Sequence, residues 1–349
     1  MSRPRKKTMG RKRKGSPVHG WVVLDKPVGL TSTQAVSRVR RLFDAQKAGH
    51  AGTLDPLATG VLAIALGEAT KTVPFVMDGE KLYRFTARWG ETTDTDDSQG
   101  RAIATSDVRP SKAQIEAALP RFVGEIMQVP PQYSAIKVDG DRAYDLAREG
   151  EDFVLEARPI LINEVVLKEQ PDADHAVFEM RCGKGSYVRA WVRDLALALG
   201  TVGHVSELRR LKVGAFAIEA AISLEKLEAL GHSPAALEHL MPIATALDGI
   251  PALAVTGSDS VRLRSGNPIL LRAPHLARLR EGQNFIGEAE ANADLQGLTV
   301  FISTARGEPV ALAELAQGEL RPFRVFNFGA GAARVGPTRE LEQTDVGDN

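Results

Sequence analysis

Residues 48–61 read Ala-Gly-His-Ala-Gly-Thr-Leu-Asp-Pro-Leu-Ala-Thr-Gly-Val and set one carboxylate, Asp55, between a glycine-rich approach and an apolar run. An Asp-Pro pair offers two chemistries. It can start a helix, because Asp caps free backbone N–H groups and Pro tolerates the first helical position. It can also present an acid for reaction, and here His50 lies on the other side of the tight backbone around Gly52. Arg209, Arg210 and Lys212 form the densest cationic cluster outside the N-terminus and are expected to contact phosphates. Gly183-Lys184-Gly185-Ser186 has the composition of a phosphate-binding loop but lacks the spaced first glycine of a P-loop, so it is discounted. Cys182 is the only cysteine, which excludes an intrachain disulfide. With seven scattered histidines beside it, no structural metal site is expected.

The elements that must carry these residues follow from periodicity. Trp21 to Leu24 reads as a short strand ending at Asp25-Lys26-Pro27, and Thr31 or Ser32 as the cap of a helix with Ala35, Val36, Val39, Leu42 and Phe43 on one face. Leu62 to Leu66 is a continuous apolar run, the pattern of a buried strand. Tyr83, Phe85, Ala87 and Trp89 alternate with polar residues, as do those of Val177 to Cys182. Thr92 to Gly100 reads as an acidic, turn-rich loop, and Ser111 with Gln114 as a capping box. A short helix is expected over Ala143 to Arg148, stopped by Gly150, and an amphipathic helix over Tyr187 to Leu199, ended by Gly200. Without a regular βαβ beat, the fold class is α+β: a mixed, largely antiparallel sheet flanked by helices. Beyond Gly249-Ile250-Pro251 come short β-prone pieces at Ala252 to Val255, Leu298 to Ser303, Val310 to Leu315 and Pro322 to Asn327. They read as a small β-barrel module, with Arg262 to Pro268 its most motif-like part.

The chain has 349 residues, enough for two domains, and a formal net charge of zero. The distribution matters more than the sum. Residues 1–14 carry eight Lys or Arg and no acid, leaving 36 basic against 44 acidic residues in the rest. Any nucleic-acid surface must then be a local patch on an acidic body, and the basic tail reads equally as a phosphate-seeking arm or as a solvated terminus without a partner. No apolar stretch approaches the roughly 20 residues of a membrane helix. No secretory signal is visible, and a cytoplasmic setting is expected.

The string Gly49-His50 with Gly52-Thr53-Leu54-Asp55-Pro56, Ala58 and Gly60-Val61 resembles the active-site segment of the TruB family, the tRNA pseudouridine-55 synthases. Gly20–Ser32, Lys81-Leu82-Tyr83, Val129–Ala135, Lys184–Arg189 and Ser206–Arg210 resemble further family segments in the same order, covering residues 18–245 well. The resemblance implies the pseudouridine synthase fold over 17–248 and a PUA-like RNA-binding domain over 249–328. Disordered tails at 1–16 and 329–349 complete the expected organisation.

The same resemblance implies isomerisation of a T-loop uridine in tRNA, stand-alone, with the base taken out of its stack and no obligate protein partner. The reaction rejoins uracil to ribose through carbon without redox change, so no cofactor and no metal are expected. Asp55 is implied as the nucleophile, attacking or deprotonating the ribose. Arg189 is implied as its cationic partner, a guanidinium able to grip both carboxylate oxygens. Tyr83 is implied as the aromatic under the flipped base, where stacking is worth roughly 1–3 kcal/mol. Tyr187 and Leu208 match the pocket walls. Lys26 matches a position that supports the pocket or a phosphate, and His50 one that contacts RNA where the base departs. A guide-RNA-dependent synthase of the dyskerin type and an RNA-folding module without turnover stay open as alternatives.

Overall fold

The computed structural model describes residues 15–328 except 135, 139–140, 152, 273–274, 276–278 and 280–295. The tails expected at 1–16 and 329–349 lie outside the described residues, Gly15 and Ser16 apart.

The main sheet uses strands β1 (Gly20–Lys26), β2 (Ala48–His50), β3 (Thr59–Leu66), β4 (Lys81–Trp89), β5 (Gly124–Gln128), β6 (Arg158–Glu169), β7 (His175–Cys182), β8 (Gly203–Val213) and β9 (Ile222–Ser223). Their spatial order is β9-β1-β3-β8-β4-β7-β6-β5, with β2 added to β3 and Phe216–Ala217 to β8. β1 with β9 and β3 with β8 pair in parallel; the other neighbours are antiparallel. This is the mixed, largely antiparallel sheet expected.

β3 explains its own apolar run. Leu62, Ile64 and Leu66 point into a core under the helices. Val61, Ala63 and Ala65 point the other way, into a second core with Trp21, Val23, Phe301, Leu312 and Phe326. A strand covered on both faces has no polar alternation to show. The last three of those residues come from a second, five-stranded sheet and its C-terminal flank: Ala252–Val255, Thr299–Thr304, Pro309–Ala316, Glu319–Val325 and Ile269–Leu270, in that spatial order. Its last long strand begins three residues before the expected Pro322, and the Arg262–Pro268 motif starts inside a helix, Gly257–Arg264.

Two helices frame the site. α1 (Ser32–Leu42) is capped by Thr31, whose hydroxyl accepts from the Gln34 N–H while Gln34 Oε1 accepts from the Thr31 N–H. Ser32 is thereby released for another contact, described below. α2 (Val188–Ala198) lays Trp191 against Phe85 of β4 and Phe178 of β7, with ring centroids 5.6 and 5.5 Å apart. That aromatic packing fixes the depth at which the first turn of α2 meets the sheet.

Candidate active site

Asp55 starts no helix. Residues 51–58 form an irregular loop between β2 and β3, in which the only turn bond from Asp55 is its carbonyl accepting from Ala58 N–H at 3.0 Å. The capping role open to an Asp-Pro pair is therefore unrealised, and the carboxylate is free for other partners. The loop is pinned from behind. Ser32 Oγ accepts from Leu54 N–H at 2.8 Å and donates to Leu54 carbonyl at 2.9 Å. Gly29 N–H donates to Pro56 carbonyl at 2.7 Å. Lys26, wholly buried, donates to the carbonyls of Leu30 at 2.7 Å and Pro27 at 2.9 Å and reaches that of Pro56 at 3.5 Å.

Arg210 closes the base of the loop. Its Nε donates to Val61 carbonyl at 2.8 Å and its Nη2 to Gly52 carbonyl at 3.0 Å. Two glycines permit this approach. Gly60 sits at φ +94°, and a Cβ there would lie 2.2 Å from the Arg210 carbonyl oxygen. Gly52, at φ +91°, passes the guanidinium itself.

Across the cleft, Arg189 on the first turn of α2 pairs with Asp55, Nη2 to Oδ2 at 2.9 Å. Nη1 donates to Thr95 carbonyl at 2.7 Å, Nη2 donates to Tyr133 carbonyl at 2.9 Å, and Nε faces Asp97 Oδ2 at 3.7 Å. The Arg189 side chain is 4% exposed and that of Asp55 35%. A buried cation thus meets a carboxylate that still reaches open space.

That open space is a cavity of about 240 Å³ lined by Asp55, Arg189, Tyr83, Tyr187, Leu208 and Ser134 among others. Tyr83 shares its strand face with Phe85, and the cavity opens where this core face ends, so a core-directed aromatic and a pocket aromatic are here the same side chain. Burial pushes its phenol up, with the Arg210 charge working against that. Tyr187 is fixed by its backbone: Gln128 Oε1 accepts from its N–H at 2.9 Å and Gln128 Nε2 donates to its carbonyl at 3.1 Å. Burial raises the Tyr187 phenol as well. Lys26 is pushed down to about 8, chiefly by burial, the nearby Asp55 charge opposing the shift.

Family models match "TruB family pseudouridylate synthase (N terminal domain)" over residues 40–188 and "tRNA pseudouridylate synthase B C-terminal domain" over residues 189–248. The chain is 55% identical to the tRNA pseudouridine synthase B of Caulobacter vibrioides across 92% of its own length and 100% of that protein. It is 54% identical to the protein of the same name from Bradyrhizobium diazoefficiens, across 91% and 89%. The chain belongs to the TruB family of pseudouridine synthases. As a TruB-family enzyme it is an isomerase. Its fold is shared with a chain of an H/ACA RNP bound to a substrate RNA containing 2'-deoxyuridine (TM-score 0.64, 22% identity, 92% of each chain). A chain of a Cbf5-Nop10-Gar1 complex is similar to the same extent (TM-score 0.63, 23% identity, 92% and 91%). The second sheet fits the PUA-like module expected from the sequence.

Of the residues expected at the TruB site, the structure gathers Asp55, Arg189, Tyr83, Tyr187 and Leu208 around one cavity. Lys26 lies behind the loop and grips backbone carbonyls. His50 ends β2, half-buried, and burial with the Arg210 charge lowers its pKa. Two expectations need correction. Arg210 is 1% exposed and engaged with two carbonyls, so it is not placed to meet a phosphate; strand alternation turned it inward. Arg209, beside it, faces outward onto Asp25 with bonds of 3.0 and 2.8 Å. The expected two-oxygen grip of Arg189 on Asp55 is instead an ion pair through Nη2, because the rest of the guanidinium is committed to Thr95 and Asp97.

Sequence reasoning missed Asp97 and Gln128. Asp97 lies in the stretch read only as an acidic loop; its side chain is 6% exposed, its Oδ1 accepting from Thr95 hydroxyl at 2.7 Å and from Gln99 N–H at 3.0 Å. The available signal was a run of acids, Glu91, Asp94, Asp96 and Asp97, with cations only at its two ends, Arg88 and Arg101.

Proposed function

We propose that this pseudouridine synthase isomerises uridine 55 in the T-loop of tRNA, stand-alone, by drawing the base out of its stack into the cavity beside Asp55. The observation that carries the reading is the Asp55–Arg189 ion pair at the mouth of a cavity walled by Tyr83, Tyr187 and Leu208. The relatives over half identical across about nine-tenths of the chain bear the name tRNA pseudouridine synthase B, which supports tRNA as the substrate. The cavity, about 240 Å³, lies below the ~300–1,000 Å³ of drug-sized sites and suits a single extruded base.

In this reading Asp55 is the nucleophile toward the ribose, and Arg189 aims it. Tyr83 stacks on the flipped base. Tyr187 and Leu208 bound the pocket, and Gln128 holds Tyr187 in place. His50 contacts the RNA where the base has left. Arg209, half-exposed, is the arginine of its pair that reaches a phosphate. The body spans 17–248 and the PUA-like module 249–328, acting in the cytoplasm with no obligate protein partner. Among the described residues no helix is long and apolar enough to cross a membrane.

Asp55→Asn is expected to bind tRNA as the parent does and to form no product, read by carbodiimide mapping of the T-loop. Full activity of that variant would refute the assignment. Conversion of a naked tRNA transcript by the purified protein tests the stand-alone claim, and a strict need for a guide RNA would replace it.

A further inference from the structure

Arg189 does not find Asp55 unaided. It takes a carbonyl from Thr95 and faces the carboxylate of Asp97 on one segment, and takes a carbonyl from Tyr133 on another. The direction of Nη2 toward Asp55 is therefore set by how those two segments sit against α2. One helical turn further along α2, on the same face, Arg193 bridges the same two segments. Its Nη1 meets Asp96 Oδ2 at 3.1 Å, and its Nη2 donates to Val129 carbonyl at 2.8 Å. Its Nε donates to Asp194 Oδ1 at 2.9 Å, within α2 itself.

The acidic segment is shaped for this. Asp96 lies at φ +58°, in the left-handed region that an L residue enters at a cost, though Asp more readily than most. A left-handed residue breaks the alternation of an extended chain, which lets consecutive aspartates both face α2. Its carbonyl accepts from Val205 N–H at 3.1 Å, tying the turn to β8. The Asp96 side chain is largely buried, and Arg193, Arg189 and Asp194 are the charged groups that act on it. Neither Asp96 nor Arg193 lines the cavity.

We propose that the Arg193–Asp96 pair is a positioning element for catalysis: a second rung that holds the Thr95–Asp97 and Val129–Tyr133 segments in register so that Arg189 presents Nη2 to Asp55. The proposal rests on the reading of Asp55 given above. Removing this rung leaves Arg189 as the side chain of α2 that ties the acidic segment, while the Val129–Tyr133 segment keeps the adjacent Gln128–Tyr187 bonds as well, so motion of the acidic segment passes directly to the catalytic ion pair.

Single-turnover kinetics on a tRNA transcript with enzyme in excess test it. Asp96→Asn, which keeps the shape and removes the charge, is expected to lower the rate constant about ten-fold, while reaction amplitude, tRNA affinity and melting temperature hold. Asp96→Glu is expected to recover part of the loss. In the double variant with Arg193→Gln, the loss is expected to match that of Arg193→Gln alone, since both act through one contact. A fold-only role would reduce the amplitude and leave the rate constant of the active fraction unchanged, and that result overturns the proposal. Should Asp96→Asn not fold, Arg193→Lys takes its place, because it keeps the charge but cannot span both partners. A lowered rate constant at full amplitude then supports the second rung, and a parental rate constant overturns it. Asp55→Asn run alongside separates the layers. An active Asp55→Asn defeats the reading of the site, whereas an inactive Asp55→Asn with parental rates at Asp96→Asn and Arg193→Lys defeats the second rung alone.

Discussion

β8 carries Arg209 and Arg210, α2 carries Arg189 and Arg193, and the two pairs behave in opposite ways. On the strand the arginines are consecutive and point to opposite faces. Arg209 goes out to a carboxylate at the surface; Arg210 goes in and satisfies two backbone carbonyls. On the helix the arginines are four apart and share a face. Both span the same two segments and both meet carboxylates. The strand pair divides its labour between surface and interior, whereas the helix pair repeats one task. Arg210, bonded to the Gly52 and Val61 carbonyls, shapes the loop; Arg189, bonded to carbonyls and carboxylates together, brings a positive charge to Asp55.

The contrast can be broken at its strongest point by Arg189→Lys. An ammonium cannot serve Thr95, Tyr133, Asp97 and Asp55 together, so turnover is expected to fall on the order of 10³-fold with normal folding, read by single-turnover rate and melting temperature. Parental rates there would remove the charge-setting role. Arg210→Met tests the shaping role. It leaves the Gly52 and Val61 carbonyls without their buried donors and is expected to cost about 2–3 kcal/mol of stability in denaturant unfolding. A loss of activity with undiminished stability would move Arg210 to the other class.

Lys26→Met sharpens the shaping side through pH. The unfolded chain keeps this ammonium protonated up to its ordinary 10.5, whereas the folded chain releases the proton near 8. Between those values the unfolded state holds more protons, so this group's contribution to stability rises with pH. The difference in unfolding free energy between parent and Lys26→Met is expected to shift in the parent's favour from pH 8 to 10.5, and a flat difference would contradict it. Arg209→Gln has the smallest expected effect. A half-exposed pair is worth at most about 1 kcal/mol, and a lost phosphate contact would lower the salt slope of tRNA binding by about one.

Much of this was legible in the chain. The alternation of Tyr83, Phe85, Ala87 and Trp89 placed β4, and the Ser111–Gln114 capping box placed its helix, because both signals lie within one turn or one strand. The Thr31 cap was legible as an alternative to Ser32; the choice required Leu54, whose backbone claims the Ser32 hydroxyl from 22 residues away. Asp96 and Asp97 were visible as charges only. Their partners lie on α2, 97 residues away for the Asp96–Arg193 contact, and no local pattern announces a contact of that span.

Local preference fixed where strands and helices run, that Asp55 sits in a glycine-flanked turn, and that Arg189 opens an amphipathic helix, since each depends on neighbours a few bonds away. Partner choice lay elsewhere. That Arg210 faces inward while Arg209 faces outward, that Asp97 and not another acid flanks Arg189, and that Asp55 caps nothing follow from strand register and helix packing. Burial is the reason. A charge removed from water takes whichever partner the packed sheet and helix bring within reach, and only the assembled layers set that reach.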